Sequence, residues 1–391
     1  MPPRKIAAPE RTSVVASSKE SSAQAASARR LRATDAPPWL FTTGSADEGA
    51  AYRQRQQEVR YAPPFLDLGT GVPRSRSSTE FRDPALAPLD KWLAQRAAAV
   101  TATEVELNLA GRRADAVVAA LGRIYPGASV YDTGSIAHGD ALSPLNDIDL
   151  GVILEKWPDR GTGQDRPLDE MRRAAGELEN ELKGQFPRLT ADWENKRSIV
   201  LNFNEPQAPG AEDFTCDVII ARPGPGRDTL LIPNTELEAG WDENAPVFHR
   251  ELMRRADRTS GGSFSQTVRL VKHWRNGYNP KPLYSWNIKT LAVEAGSESA
   301  RPFEGLHRFF AYAVHAVAEG PTENPRPDED AAFRFPPPTV ARDRLEVTAM
   351  LKAAYVTLEE ARTLALIGKT DLAVRKLAEL FPSLPAEDGP Y

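Results

Sequence analysis

Three short pieces of this chain hold residues that could do chemistry together. Gly134-Ser135 is followed, after a gap of eleven residues, by Asp147-Ile148-Asp149 and the run Leu150-Gly151-Val152-Ile153-Leu154. A third carboxylate, Asp217, lies inside the apolar stretch Phe214-Thr215-Cys216-Asp217-Val218-Ile219-Ile220. Side chains alternate faces along a strand, so Asp147 and Asp149 point the same way while Ile148 packs behind them. Two carboxylates on one face repel unless a cation stands between them. Oxygen donors of this kind suit Mg²⁺ (or Mn²⁺). Two such ions about 3.5–4 Å apart would activate an attacking hydroxyl and stabilise a leaving pyrophosphate. Asp217 is the natural third ligand, because an acid in an apolar strand is costly unless paired or metal-bound. Cys216 and Val218 flank it on the opposite, core-facing side. Ser135 and the backbone N–H groups beside Gly134 can hold phosphate oxygens, since a small-residue turn allows close approach.

These residues need strands to carry them. Four runs rich in Val, Ile and Phe read as strands: Ser129–Thr133, Ile148–Leu154, Ser198–Phe203 and Thr215–Ala221. The eleven residues between Ser135 and Asp147 read as a loop. Helical spacing of apolar residues begins near Leu86 with Leu89, Trp92 and Leu93, and continues over about Thr103–Tyr125, where Gly127 ends it. A helix over Leu168–Phe186 separates the second strand from the third. After Pro233 the chain reads as helices: Pro246–Ala256, Phe264–Asn276, Ser285–Gly296, Pro302–Ala318, Val340–Ile367 and Thr370–Phe381. The loop Gly320–Pro338 carries six prolines.

Composition sets outer limits. At roughly 150 residues per domain, 391 residues predict two to three domains, or two and a tail. A net charge of −5 argues against a bulk nucleic-acid coat. The single cysteine excludes an internal disulfide framework and a cysteine-based zinc site. No run approaches the ~18–20 apolar residues of a membrane span, and the polar N-terminus lacks a signal-type apolar core, so the expected location is cytoplasmic. Residues 1–60 hold ten basic and six acidic side chains and little periodic apolar content, which predicts a disordered arm.

Gly134-Ser135, the eleven-residue gap, Asp147-Ile148-Asp149 and a later strand-borne Asp217 together resemble the polymerase β-type nucleotidyltransferase superfamily. The second half narrows this. The order Ile232-Pro233, Gly240-Trp241, Asn244 to His249, then Phe264 to Arg275, then Tyr284-Ser285-Trp286 to Leu291 is similar to the helical domain of the oligoadenylate synthetase and cyclic GMP-AMP synthase group. It looks most like the bacterial CD-NTases, over about Leu86 to Pro385. One departure is Gly139-Asp140, where many members carry Gly-Thr or Gly-Ser; Asp140 is expected to add negative charge near the phosphates. His138 reads as an incidental loop histidine.

The resemblance implies an α+β fold: a polymerase β-like core (mixed sheet with helices) and a helical C-terminal domain, with the active site in the cleft between. The expected division is a disordered or loosely packed arm at 1–75, a catalytic core at 86–232 and a helical domain at 233–391. It implies attack of a ribose hydroxyl on the α-phosphorus of an NTP (ATP, GTP or a pyrimidine NTP), with Asp147, Asp149 and Asp217 as metal ligands. Gly134, Ser135, Lys272, Ser285 and Trp286 are then nucleotide-binding, with Lys272 and Ser285 on the triphosphate and Trp286 stacked on a base. On the residues alone, Ser285 can cap the following helix, and the basic group Arg254, Arg255, Arg258, Arg269 and Arg275 reads as solvated faces. The expected product is a cyclic di- or trinucleotide signal in bacterial antiphage (CBASS-type) defence, reaching an effector only through the product. No membrane and no obligatory nucleic acid are expected. The alternatives are a CCA- or poly(A)-adding enzyme, a nucleotidylating enzyme for a small molecule or protein, or an inactive nucleotide-binding sensor.

Overall fold

The computed structural model describes Arg4–Lys5 and residues 80–158, 166–206, 212–226, 228–237, 240–296, 301–320, 323–324, 333–334 and 343–381. The arm at 1–75 falls outside these except for Arg4–Lys5. The proline-rich loop falls outside them except for the paired two-residue strands Glu323–Asn324 and Phe333–Arg334.

Eight strands form one sheet. In chain order they are β1 (Arg4–Lys5), β2 (Ser129–Thr133), β3 (Asp147–Ile153), β4 (Thr190–Asp192), β5 (Ile199–Asn202), β6 (Thr215–Pro223), β7 (Leu230–Pro233) and β8 (Trp241–Asn244). Their order across the sheet is β1-β2-β3-β6-β5-β4, with β7 pairing β6 and β8 pairing β7. The helices are α1 (Ala87–Ala99), α2 (Glu104–Ile124), α3 (Gly134–His138), α4 (Pro167–Leu182), α5 (Pro246–Thr259), α6 (Ser263–Asn276), α7 (Ser285–Glu294), α8 (Pro302–Glu319), α9 (Arg344–Leu366) and α10 (Thr370–Ala378). The fold is thus α+β, as the sequence implied. The four expected strands are present, β2 with the expected bounds. The gap after Ser135 is not all loop: its first residues complete α3. The short strands β4, β7 and β8 are not among the expected ones, nor is β1, which lies in the stretch expected to be a disordered arm and pairs with β2.

The chain divides into two units, each built from several stretches. One holds residues 112–132 and 150–244, the other 64–111, 133–149 and 245–391, with the residues before 64 in the first.

In the first unit the alternation of β6 is visible in its burial. Cys216, Val218 and Ile220 are buried, whereas Thr215, Asp217 and Ile219 are partly exposed. Helix α4 buries Met171, Ala174, Leu178 and Leu182, a single stripe at helical spacing. The buried Arg113 guanidinium is held by Asp213 at 2.6 Å and the Glu205 carbonyl at 2.9 Å, between the rings of Phe203 and Phe214. A buried charge survives only with such pairing.

In the second unit a helical core is built from Leu89 and Leu93 of α1, Val268 and Val271 of α6, Ile288 and Leu291 of α7, Phe309 and Phe310 of α8, and Leu351 and Leu358 of α9. Each is fully or almost fully buried. At about 1.5–3 kcal/mol per buried large apolar side chain, this cluster dominates that unit's stability. No described helix is long and apolar enough to cross a membrane.

Candidate active site

Gly134 opens α3 in the left-handed region, at φ +74°. A Cβ there would fall inside the Asp149 carboxyl group, 2.7 Å from its Cβ. The glycine is required twice, for its backbone angle and for the space that Asp149 fills. The motif's two halves are therefore in contact: Asp149 lies directly over the Gly-Ser turn. Asp147 and Asp149 are both partly buried, and Ile148 between them is buried, as strand alternation requires.

Helix α3 ends in a Schellman motif. The Gly139 N–H donates to the Ile136 carbonyl at 3.1 Å and the Asp140 N–H to the Ser135 carbonyl at 3.0 Å, with Gly139 at φ +76°. The chain from α3 into β3 is pinned by Glu106. Its carboxylate closes a capping box with Thr103 at the start of α2 and also accepts from Leu145 N–H at 2.9 Å and Ser143 Oγ at 3.1 Å. Burial alone would raise the Glu106 pKa; these four donors outweigh it and hold the carboxyl below its usual range.

Around Asp140 the structure corrects the sequence reading. Its carboxylate is fully buried and does not face solvent or add a bare negative charge. Lys272 of α6 ion-pairs with Oδ1 and also donates to the Asp140 carbonyl at 3.0 Å. Lys289 of α7 stands 3.1 Å from Oδ2. Burial would raise the Asp140 pKa, but Lys289 and Lys272 outweigh it and hold the carboxyl below its usual range. His138 is likewise buried, not loop-exposed, and Lys289 Nζ lies 2.7 Å from its Nδ1. Burial and the neighbouring Lys289 draw the His138 pKa down to about 2, so the ring is neutral and Nδ1 accepts from the ammonium.

Lys272 is 4% exposed, so it is no solvated helix lysine. Burial pulls its pKa down to about 8, with Asp140 working in the other direction. Both lysines also act on Asp147. Burial raises the Asp147 carboxyl pKa, and Lys272 and Lys289 oppose that rise. Asp147 receives no hydrogen bond among the described residues. Lys289 was not singled out from the sequence; a lysine on the apolar side of a helix, four residues after Ser285, is the signal that could have found it.

The other expected residues are placed as follows. Ser285 is the first residue of α7, not its cap; the cap position is Tyr284, whose N–H donates to Asn287 Oδ1 at 3.2 Å. The Ser285 hydroxyl accepts from Arg275 at 2.8 Å. Trp286 is partly buried against the helical core, with its ring centre 4.6 Å from that of His249 and 6.1 Å from that of His138. Of the five arginines read as solvated, Arg275 is buried instead and Arg269 donates to the Gly139 carbonyl at 2.6 Å, whereas Arg258 is exposed and pairs with Glu251. Asp217 is on β6, opposite Val200 of β5, and accepts from Ser198 Oγ at 3.2 Å. Among the described residues no three His, Cys, Asp or Glu side chains are grouped as metal ligands.

Residues 115–203 match a family described as "Nucleotidyltransferase domain". That span includes Gly134, Ser135, Asp147 and Asp149. The cyclic AMP-AMP-AMP synthase of Escherichia coli (strain MS 115-1) is 25% identical over 191 residues, 46% of this chain and 55% of that protein. The match thus spans about half the length of that relative. The solved structure of E. coli MS115-1 CdnC with ATP is similar at a TM-score of 0.52 and 19% identity, over 75% of this chain and 99% of that one. The Bradyrhizobium diazoefficiens CD-NTase CdnG in complex with GTP gives 0.52 and 18%, over 75% and 98%. The 3'-deoxy ATP bound form of Vibrio cholerae DncV gives 0.51 and 13%, over 78% and 86%. A turn built around Gly134 and a strand opening with Asp147 and Asp149, inside the matched span, agree with both kinds of likeness: residues 115–203 are similar to a nucleotidyltransferase domain, and the fold is that of the solved CD-NTases.

Proposed function

We propose that the protein joins nucleoside triphosphates into a cyclic di- or trinucleotide and releases pyrophosphate at each step, as a cytoplasmic signalling enzyme of antiphage defence. The observation that carries this reading is the contact between Asp149 and Gly134, which sets two strand-borne carboxylates directly over a Gly-Ser turn. The relative named a cyclic AMP-AMP-AMP synthase supports cyclisation.

The residues fit divalent cations. Asp147 is a partly buried carboxylate whose pKa is raised by burial and which receives no hydrogen bond among the described residues, a state a cation relieves. Asp147 and Asp149 would hold both ions; Asp217 would add a third carboxylate to one, although the described residues do not group it with the other two. The ions would supply charge stabilisation at the leaving pyrophosphate and acidify the attacking hydroxyl. The protein's own groups do the rest. Ser135 and the N–H groups of the first turn of α3 take phosphate oxygens, Lys272 and Ser285 take the triphosphate, and Trp286 stacks on a base, worth about 1–3 kcal/mol. The ribose oxygen forms its bond to the α-phosphorus as the bond to the β-phosphate oxygen breaks. Asp217, oriented by Ser198, accepts the hydroxyl proton. Catalysis here is positioning plus charge stabilisation.

Labelled NTPs incubated with the protein and Mg²⁺ or Mn²⁺, without RNA, and then treated with phosphatase, test the reading. A phosphatase-resistant small product is expected. Label found only on added RNA would point to tailing, and NTP binding without product to a sensor.

Lys272 gives the nucleotide affinity a pH dependence. Its folded-state pKa of about 8 lies below the ordinary 10.5, so the ammonium is lost first in the folded protein. Affinity for a triphosphate is expected to fall as pH rises through about 8. Stability moves the other way: the cost of burying the charge is fully present below about 8 and is relieved between about 8 and 10.5. Isothermal titration with a non-hydrolysable NTP at pH 7 and pH 9, with thermal melts at both, checks the two signs. Equal affinity at the two pH values removes Lys272 from the phosphate site.

A further inference from the structure

The buried cluster behind the Gly-Ser turn has a charge count that the reaction just proposed does not use. Lys272 and Lys289 bring two ammonium groups, 4% and 3% exposed, and Asp140 brings one carboxylate, 0% exposed. His138 is neutral. Within this group of four one net positive charge is left in a buried place; Asp147, on which both lysines act, and the buried Arg275 stand around it, and an anion beside the group lowers its cost. Asp140 belongs to the turn itself, as the residue whose N–H closes the Schellman motif onto Ser135. Its carboxylate reaches α6 through Lys272 and α7 through Lys289, and Arg269 adds a second tie from α6 to the Gly139 carbonyl. The two ammoniums also differ in their hydrogen bonds: Lys272 donates twice to Asp140, whereas Lys289 hydrogen-bonds His138 and only ion-pairs with Asp140, whose Oδ2 accepts no hydrogen bond.

We propose that Asp140 is a positioning residue for the nucleotide: its carboxylate cancels one of two buried ammonium groups and fixes both at the end of the Gly-Ser turn, so that the pair offers one net positive charge to the phosphate tail of a nucleoside triphosphate. The proposal rests on the nucleotide-transfer reading and adds two residues to it, Asp140 and Lys289.

The test is a charge-compensation cycle. Asp140→Asn leaves two ammoniums without the carboxylate that pairs with them, Lys289→Met leaves one lysine paired with Asp140, and the double variant restores one net positive charge with one lysine. Kd for a non-hydrolysable NTP with Mg²⁺ is measured for all four proteins, with KM and kcat where turnover is seen. Each single variant is expected to weaken binding about tenfold or more and to raise KM more than it lowers kcat. The double variant is expected to bind within about threefold of the parent, tighter than either single. A residue serving only to hold the fold would give no such recovery, because the second change would add to the damage of the first. Should Asp140→Asn fail to fold, Lys289→Met against the double variant still decides. A double variant binding no tighter than Lys289→Met overturns the assignment, as does parent-like binding by both singles. If the parent itself binds no non-hydrolysable NTP, with each of ATP, GTP, CTP and UTP analogues tried, the nucleotide-transfer reading fails first, and the charge cycle is then not the cause.

Discussion

Asp147→Asn is expected to abolish nucleotidyl transfer, lowering kcat on the order of a thousandfold or more, while the protein melts at the same or a higher temperature. The two halves of this result have one cause. The Asp147 carboxyl pKa is raised, burial being the largest cause, with Lys272 and Lys289 opposing it. A carboxyl whose folded pKa lies above its ordinary 3.8 costs stability wherever it is ionised, and the cost disappears only as pH falls below both values. At neutral pH the folded protein therefore bears an unfavourable charge at this position. Asparagine has nearly the same shape and no charge to bury, so the fold loses nothing. The function loses the oxygen ligand for which the cost is tolerated. Mg²⁺ supplies a second readout: it should raise the melting temperature of the parent, since a ligand bound to the native state alone stabilises it, and leave Asp147→Asn unmoved. Near-normal turnover in the variant would remove Asp147 from the metal assignment.

Gly134→Ala should be as damaging to activity by a different route. The alanine methyl would need the volume of the Asp149 carboxyl group and would hold a Cβ at φ +74°. The left-handed backbone costs roughly 1–2 kcal/mol. Relieving the overlap moves either the carboxylate or the turn, for a further cost of about 1–3 kcal/mol. Either movement separates the phosphate-holding turn from the carboxylates. Gly127→Ala is the control. That glycine has φ +85° but open space where its Cβ would stand, so it carries the backbone cost without the collision. Denaturant melts and turnover on both variants separate the two effects: both lose stability, and only Gly134→Ala loses activity. Equal activity losses would show that the collision with Asp149 does not matter.

What the sequence revealed and what it hid follow the range of the interactions. Strand β2 and the alternation of Cys216, Asp217 and Val218 are written in neighbouring residues, and the helical stripe Met171, Ala174, Leu178, Leu182 in one local period. Strands β4, β7 and β8 are three or four residues long and take their identity from a partner strand, which no local pattern records. Asp140 was misread for the same reason. Its neutralising lysines come from helices far along the chain, 132 residues away in the case of Lys272. The hydroxyl of Ser285 was assigned to its own helix because a serine before a helical run usually caps it. Arg275, ten residues earlier, binds that hydroxyl instead. The Gly-Ser and Asp-x-Asp pieces were legible as separate signals, whereas the seating of Asp149 on Gly134 needed the fold.

Cys216 faces the interior of the sheet next to Asp217, at 0% exposure, and the sequence contains a single cysteine. Every molecule therefore carries one thiol whose reaction with a coloured disulfide reagent waits on a parting of strands. With reagent in excess, the labelling trace becomes a clock for the spontaneous opening of the strand that bears Asp217. It can be read with no engineered probe and no turnover.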